Sequence, residues 1–197
     1  EFNQPITYVA GDTGDIEFLK QLQQYYSFDV VINFAIQSTV QAQANIEAFD
    51  GKIQQFIFIS TVTVLDREKA VVLNEQSVCG NPYSAYAQTK LACETLFLNA
   101  HRYQQFPVTI VRPSQTYSTD KFPLSVKGRG YWSVFDRILK GKPVIVHGDG
   151  TSTWVSMHSE DFARFFIPLV GNPKTSGEIY HITGTEIRTW DQIYQML

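Results

Sequence analysis

The run Asp29-Val30-Val31-Ile32-Asn33-Phe34-Ala35 decides the fold. Its apolar residues run on with little alternation, the pattern of a strand buried on both faces, and such strands belong to parallel sheets covered by helices. Working outward toward the N-terminus, Ile16, Leu19 and Leu22 recur at helical spacing and predict a helix over 16–26. Ahead of it, Ile6-Thr7-Tyr8-Val9-Ala10 predicts a short strand ended by Gly11-Asp12. In the other direction, 40–49 predicts a helix and Gln55-Phe56-Ile57-Phe58-Ile59-Ser60 another strand. A long helix is predicted over 82–103, with Asn81 as its cap and Pro82 in its first turn. Pro107-Val108-Thr109-Ile110-Val111-Arg112-Pro113 predicts the next strand. Strand and helix alternate throughout, which implies an α/β protein with a doubly wound parallel sheet and helices on both faces.

Beyond Pro113 the pattern loosens into a predicted helix over 132–139, a strand over 143–146, a helix over 159–170, a strand over 179–182 and a helix starting at 189. Residues 1–117 therefore read as one doubly wound unit, which the resemblance given below makes a partial NAD(P)-binding domain, and 118–197 as a smaller mixed region. No G-x-G-x-x-G turn occurs; Gly11-Asp12-Thr13-Gly14 is the nearest approach and lacks the spacing. That turn follows the first strand of a doubly wound sheet, so either the chain does not bind a dinucleotide or its first βαβ portion is expected upstream of Glu1. The whole protein is expected to reach about 300 residues, by the family resemblance given below and the usual domain-size range.

The composition is that of a globular chain, with 44% hydrophobic and 18% charged residues and a net charge of −3. Without a Lys/Arg block, nucleic acid is not favoured as a partner. No apolar run approaches the roughly 20 residues that span a bilayer, and no signal peptide opens the chain, so a cytoplasmic location and no membrane partner are expected. Cys79 and Cys93 are too few for a disulfide framework and lack metal-ligand spacing.

The chemistry centres on Tyr86-Ala87-Gln88-Thr89-Lys90, within the predicted long helix. Residues four apart share a helix face, so phenol and ammonium point the same way. The ammonium is expected to favour phenolate and lower the tyrosine pKa from about 10. Such a tyrosine exchanges a proton with an alcohol while hydride moves to or from a nicotinamide. The strand ending at Ser60-Thr61 places hydroxyls where parallel sheets bind ligands. The plain alternatives are a solvated helix face and a capped turn. The ordered set of Ser60-Thr61, Asn81-Pro82-Tyr83, Tyr86-x-x-x-Lys90 and Arg112-Pro113 favours the functional reading. His101, His147 and His181 read as surface or structural residues, Asp161 as a helix cap, and Lys127 with Arg129 as part of a loop near the cleft.

With these motifs the chain resembles the extended short-chain dehydrogenases/reductases, the NAD-dependent epimerase/dehydratase family, over nearly its whole length. The resemblance implies a Rossmann-like fold with a small C-terminal substrate-binding region, and NAD or NADP as cofactor. It implies Thr61, Tyr86 and Lys90 as catalytic residues, Tyr86 as acid/base and Lys90 also on the cofactor ribose. It implies cofactor contacts from Asp12, Thr13, Phe34, Ala35, Ile36, Ser60, Pro113 and Ser114, and substrate contacts from Gln115, Trp154 and His158. The implied partner is a carbohydrate-like small molecule, with a homodimer left open. Trp154 stands where nucleotide-sugar enzymes of the family usually carry arginine, so the cleft is expected to lack a charged grip on a diphosphate. The short 37–52 segment and the altered positions also resemble the chloroplast stem-loop RNA-binding relatives, which leaves a cofactor-sensing or RNA-binding protein on the same fold as the alternative.

Overall fold

A computed structural model describes residues 6–69, 72–121, 124, 131–146 and 148–197. In chain order the elements are α1 (Ile16–Tyr26), β1 (Val30–Asn33), α2 (Thr39–Phe49), β2 (Gln55–Ile59), α3 (Ala85–Gln104), β3 (Val108–Pro113), β4 (Gln115–Tyr117), α4 (Tyr131–Leu139), β5 (Thr153–Trp154), β6 (Ser156–His158), α5 (Ser159–Phe166), β7 (Ile179–Ile182), β8 (Arg188–Thr189) and α6 (Trp190–Gln195). The main sheet is parallel, in the order β1-β2-β3-β7. Its register sets Val31 beside Phe56, Phe58 beside Ile110, and Val111 beside Tyr180.

β2 shows why the strands are apolar on both sides, since all five of its residues are buried. Phe56 and Phe58 join one cluster with Ala42, Ile46 and Phe49 of α2 and Cys93 and Phe97 of α3. The ring of Phe97 lies 5.1 Å from that of Phe56 and 5.0 Å from that of Phe58. Ile57 and Ile59 join Val111, Met157, Ile182 and Phe166 of α5 in a second cluster. Successive strand residues face opposite ways, so helices cover both faces of one sheet, as the apolar runs require. Each buried phenylalanine contributes roughly 1.5–3 kcal/mol through its removal from water.

Four expectations need correction. Residues 6–10 form no strand: they pair with no described strand, and Tyr8 is 88% exposed. The outer edge of β1 takes up none of the stretch's backbone groups, so nothing holds it in the sheet. Residues 143–146 form no strand either; Arg137 ties this segment back to α4 through bonds from Nε and Nη2 to the carbonyl of Pro143. α3 starts at Ala85 with Ser84 as its cap, whose Oγ accepts from the Ala87 amide. Asn81 instead accepts from the Tyr83 amide and donates to the carbonyl of Thr63, so it organises the loop before the helix. The predicted 159–170 helix is α5 followed by a 3₁₀ turn over Ile167–Leu169, where Pro168 removes a backbone donor. His147, Lys127 and Arg129 lie outside the described residues. Among the described residues no helix is long and apolar enough to cross a membrane, and no group of His, Cys, Asp and Glu is placed to hold a metal ion.

Candidate active site

α3 carries Tyr86, Lys90 and Glu94 at successive spacings of four, one stripe along the helix. Lys90 is 2% exposed. Its Nζ donates to the carbonyl of Ile36, just past β1, at 2.7 Å and to that of Ile59, at the end of β2, at 2.9 Å. The ammonium also lies 4.8 Å from the ring centre of Phe58 and 5.9 Å from that of Tyr86. One side chain thereby fastens the start of α3 over the carboxyl ends of two neighbouring strands. Burial pulls the Lys90 pKa down, while the charges of Cys93 and Glu94 act against that.

Tyr86 is half-exposed. Its pKa is raised by burial, opposite to the expected lowering by Lys90. The reason is geometric: the ammonium is committed to two carbonyls and faces the ring rather than bonding the phenol oxygen. Thr61 is buried at the end of β2, where its hydroxyl bonds that of Thr63 at 2.8 Å and accepts from the Thr63 amide. Ser60, buried beside it, donates to Glu94 Oε1 at 2.5 Å.

That bond enters a buried network. Arg112, at the end of β3, donates to Glu94 through Nε at 2.9 Å and Nη2 at 2.6 Å. Nη2 also reaches Cys79 Sγ at 3.4 Å, and Nη1 lies 3.5 Å from His181 Nε2. A guanidinium has no acceptor, so His181 Nε2 must accept and the imidazole is neutral there. Burial lowers the His181 pKa, the Glu75 charge works against this, and Arg112 reinforces it. In the unfolded chain the imidazole titrates near its ordinary value of about 6.5. Between that value and the lowered folded one, the unfolded chain binds more protons, so stability falls as pH drops below about 6.5 and the loss is complete below the folded value. Melting temperatures measured between pH 7.5 and 5 should therefore decline, and more steeply than in His181→Gln. Equal slopes in the two proteins would assign the acid lability to other groups.

At the β1 end, Asn33 and Asn45, both buried, build a second network that the sequence reading missed. Asn33 Oδ1 accepts from the amides of Ala35 and Ile36, and its Nδ2 donates to Asn45 Oδ1. Asn45 Nδ2 donates to the carbonyl of Thr13, which brings the 12–14 turn against the end of β1. Asp12 closes that turn by accepting from the Gly14 amide at 2.8 Å. The signal was available, since an asparagine interrupts an otherwise apolar strand. Phe34 and Ala35 are exposed beside this turn, whereas Ile36 is fully buried and offers only its carbonyl, to Lys90. At the end of β3, Pro113 is half-buried, and Ser114 just past it is buried with an Oγ that has no hydrogen-bond partner.

Two of the residues expected at the substrate are bonded to each other, Trp154 Nε1 donating to Gln115 Oε1. His158 caps α5, its Nδ1 accepting from the Glu160 amide, and stands edge-on to Tyr117. Trp154 and His158 both line a cavity of about 500 Å³ together with Tyr117, Phe135 and Arg188. Missed by the sequence reading as well is Arg67, whose guanidinium carbon lies 5.2 Å from the Trp154 ring centre.

The chain is similar to dTDP-D-glucose 4,6-dehydratase of Homo sapiens, 26% identical over 201 residues that cover 91% of this chain and 54% of the relative. It is 27% identical over 191 residues to the chloroplast stem-loop binding protein of 41 kDa b of Arabidopsis thaliana, covering 97% of this chain and 47% of that one. Among solved structures it resembles UDP-glucuronic acid 4-epimerase of Bacillus cereus, in complex with UDP-glucuronic acid and NAD, at a TM-score of 0.77 and 26% identity, covering 92% of this chain and 62% of the other. The chain thus spans about half the length of the curated relatives it matches. A family model matches residues 2–183, and by that match the chain belongs to the NAD dependent epimerase/dehydratase family.

Proposed function

We propose that this protein is an NAD(P)-dependent epimerase/dehydratase or reductase acting on a carbohydrate-like alcohol, with Tyr86 as its general acid/base. The observation that carries this reading is the pair of bonds from Lys90 to the carbonyls of Ile36 and Ile59. They set the first turns of α3 over the carboxyl ends of β1 and β2, where ligands of parallel sheets bind. Tyr86 sits one turn before Lys90, and its raised pKa keeps the proton on Oη at neutral pH. A neutral phenol there donates to an oxygen that gains negative charge and takes the proton back in the reverse direction. Thr61, held by the turn it caps, is the neighbouring hydroxyl for the same oxygen.

The residues present fit the cofactor's nicotinamide-ribose end. Lys90 has three N–H donors and spends two on carbonyls, leaving one for a ribose hydroxyl. The partnerless Oγ of Ser114 and the exposed Phe34 and Ala35 offer polar and apolar contacts at two strand ends. Asp12 and Thr13, fixed through Asn45, suit the adenine side. When bound, the nicotinamide supplies hydride acceptance and return. The human and Bacillus relatives, named for nucleotide sugars, support a carbohydrate-like substrate. The Arabidopsis relative, named for stem-loop binding, supports a second reading as an RNA-binding protein. The net charge of −3 weighs against it, because phosphate contacts draw on clustered cations.

A thermal-shift titration of the full-length protein separates the two. NAD or NADP at a hundredfold over its dissociation constant should add about 2.7 kcal/mol of stability. No stabilisation by either dinucleotide, together with retention of a stem-loop RNA, would replace the first reading with the second.

A further inference from the structure

The cavity beside Trp154 adjoins a second one of about 710 Å³, and four residues line both: Tyr117, Ser156, His158 and Glu186. β4 and β6 pair with Gln115 beside Ser156 and Tyr117 beside His158, so these side chains share one face of a two-stranded sheet. From there the second cavity extends to β7 and α5, which contribute Tyr180 and Phe165. Thr61, Tyr86 and Lys90 do not line it, so it lies outside the catalytic set.

Its polar groups are largely unspent. The buried Ser156 Oγ has no hydrogen-bond partner. His158 Nδ1 accepts from the Glu160 amide, so in the neutral ring the proton sits on Nε2 and is free to be donated. Asp161 and Glu186 each engage an arginine through one oxygen, Oδ1 with Arg164 at 3.3 Å and Oε2 with Arg188 at 2.5 Å, and keep the other as an acceptor. The rings of Tyr117, Phe165 and Tyr180 stand among these groups, and among the described residues no lysine or arginine lines the cavity.

Donors and acceptors mixed closely with flat apolar rings match a molecule whose hydroxyls both donate and accept and whose C–H faces are apolar. A sugar ring has that pattern. Two carboxylates without a cation in the same wall disfavour an anion there, because like charges brought together cost binding energy. The second cavity alone falls within the roughly 300–1,000 Å³ of small-molecule sites, so the two together hold more than one ring.

We propose that this second cavity is a carbohydrate subsite for an uncharged sugar ring, and that the substrate is a glycoside of at least two rings lying across Tyr117 and His158, the place of its reacting ring resting on the enzymatic reading above.

Calorimetry on the full-length protein, with and without NAD or NADP, tests it. The probes are maltose, cellobiose and lactose, their component rings glucose and galactose, and a hyaluronan disaccharide as the anionic counterpart. At least one neutral disaccharide should bind roughly tenfold or more tighter than either of its rings, through burial of a second ring face. Tyr180→Ala should abolish that advantage. Phe165→Ala, at an exposed position of α5 where the fold is not at stake, should reduce it. No disaccharide tighter than its rings, an advantage that survives both substitutions, or the hyaluronan disaccharide bound as tightly as the neutral ones would each overturn the proposal. A thermal shift with NAD and NADP, run on the same preparations, keeps the two readings apart. Tyr180-dependent disaccharide binding without any dinucleotide shift would sink the enzymatic reading and leave the sugar subsite standing, and a dinucleotide shift without disaccharide binding would do the reverse.

Discussion

Tyr86→Phe should lower turnover by roughly 10²–10⁴-fold, the range for loss of a positioned general acid, while stabilisation by the dinucleotide stays unchanged. Phenylalanine keeps the ring against the Lys90 ammonium and removes only the hydroxyl. The pH dependence adds a second readout. Partial burial raises the Tyr86 pKa, so the protonated form prevails below the tyrosine's ordinary value of about 10. In the direction where Tyr86 donates, the rate should be flat through neutral pH and fall only as the medium passes that raised value. A break near neutrality that disappears in Tyr86→Phe would mean that the phenol is lowered in the working enzyme. Turnover retained in the variant would remove Tyr86 from the chemistry altogether.

Glu94→Leu should cost about 3–5 kcal/mol of folding stability, because it leaves a buried guanidinium without its counter-charge. Glu94 and Arg112 are 1% and 2% exposed, and two hydrogen bonds join them. Ser60 loses its acceptor in the same step. The double variant Glu94→Leu, Arg112→Met removes both charges and should recover most of the loss, since a buried ion pair is often matched by apolar residues of similar volume. Urea unfolding of the four proteins gives the coupling directly. Additive losses would show that the pair does not act as a unit.

What could be read from the sequence follows periodicity. The unbroken strands, the alternation with helices and the shared face of Tyr86 and Lys90 are all local patterns, and the parallel sheet with helices on both faces follows from them. What escaped depends on chain separation. Lys90 reaches carbonyls 54 and 31 residues away, and nothing in its neighbours specifies those partners. Ser60 bonds Glu94 34 residues on, and a glutamate in a helix is too ordinary to stand out. Arg67 and Trp154 meet across a fold, with no spacing rule to join them. Residues 6–10 failed for a different reason, since strand propensity describes a side-chain pattern while a strand exists only where its backbone groups pair with a neighbour.

The stripe on α3 carries a consequence for error during folding. Lys90 bonds the segments leaving β1 and β2, and Glu94 bonds the residue after β2 and the end of β3. Each bond exists only if those three strands stand level with one another. A slip of one residue in β2 would turn Phe56 and Phe58 to the opposite face and carry the Ile59 carbonyl away from the ammonium. A misaligned sheet would then lose the seat of Tyr86 together with its core, so one buried stripe of α3 proofreads the alignment of three strands at once.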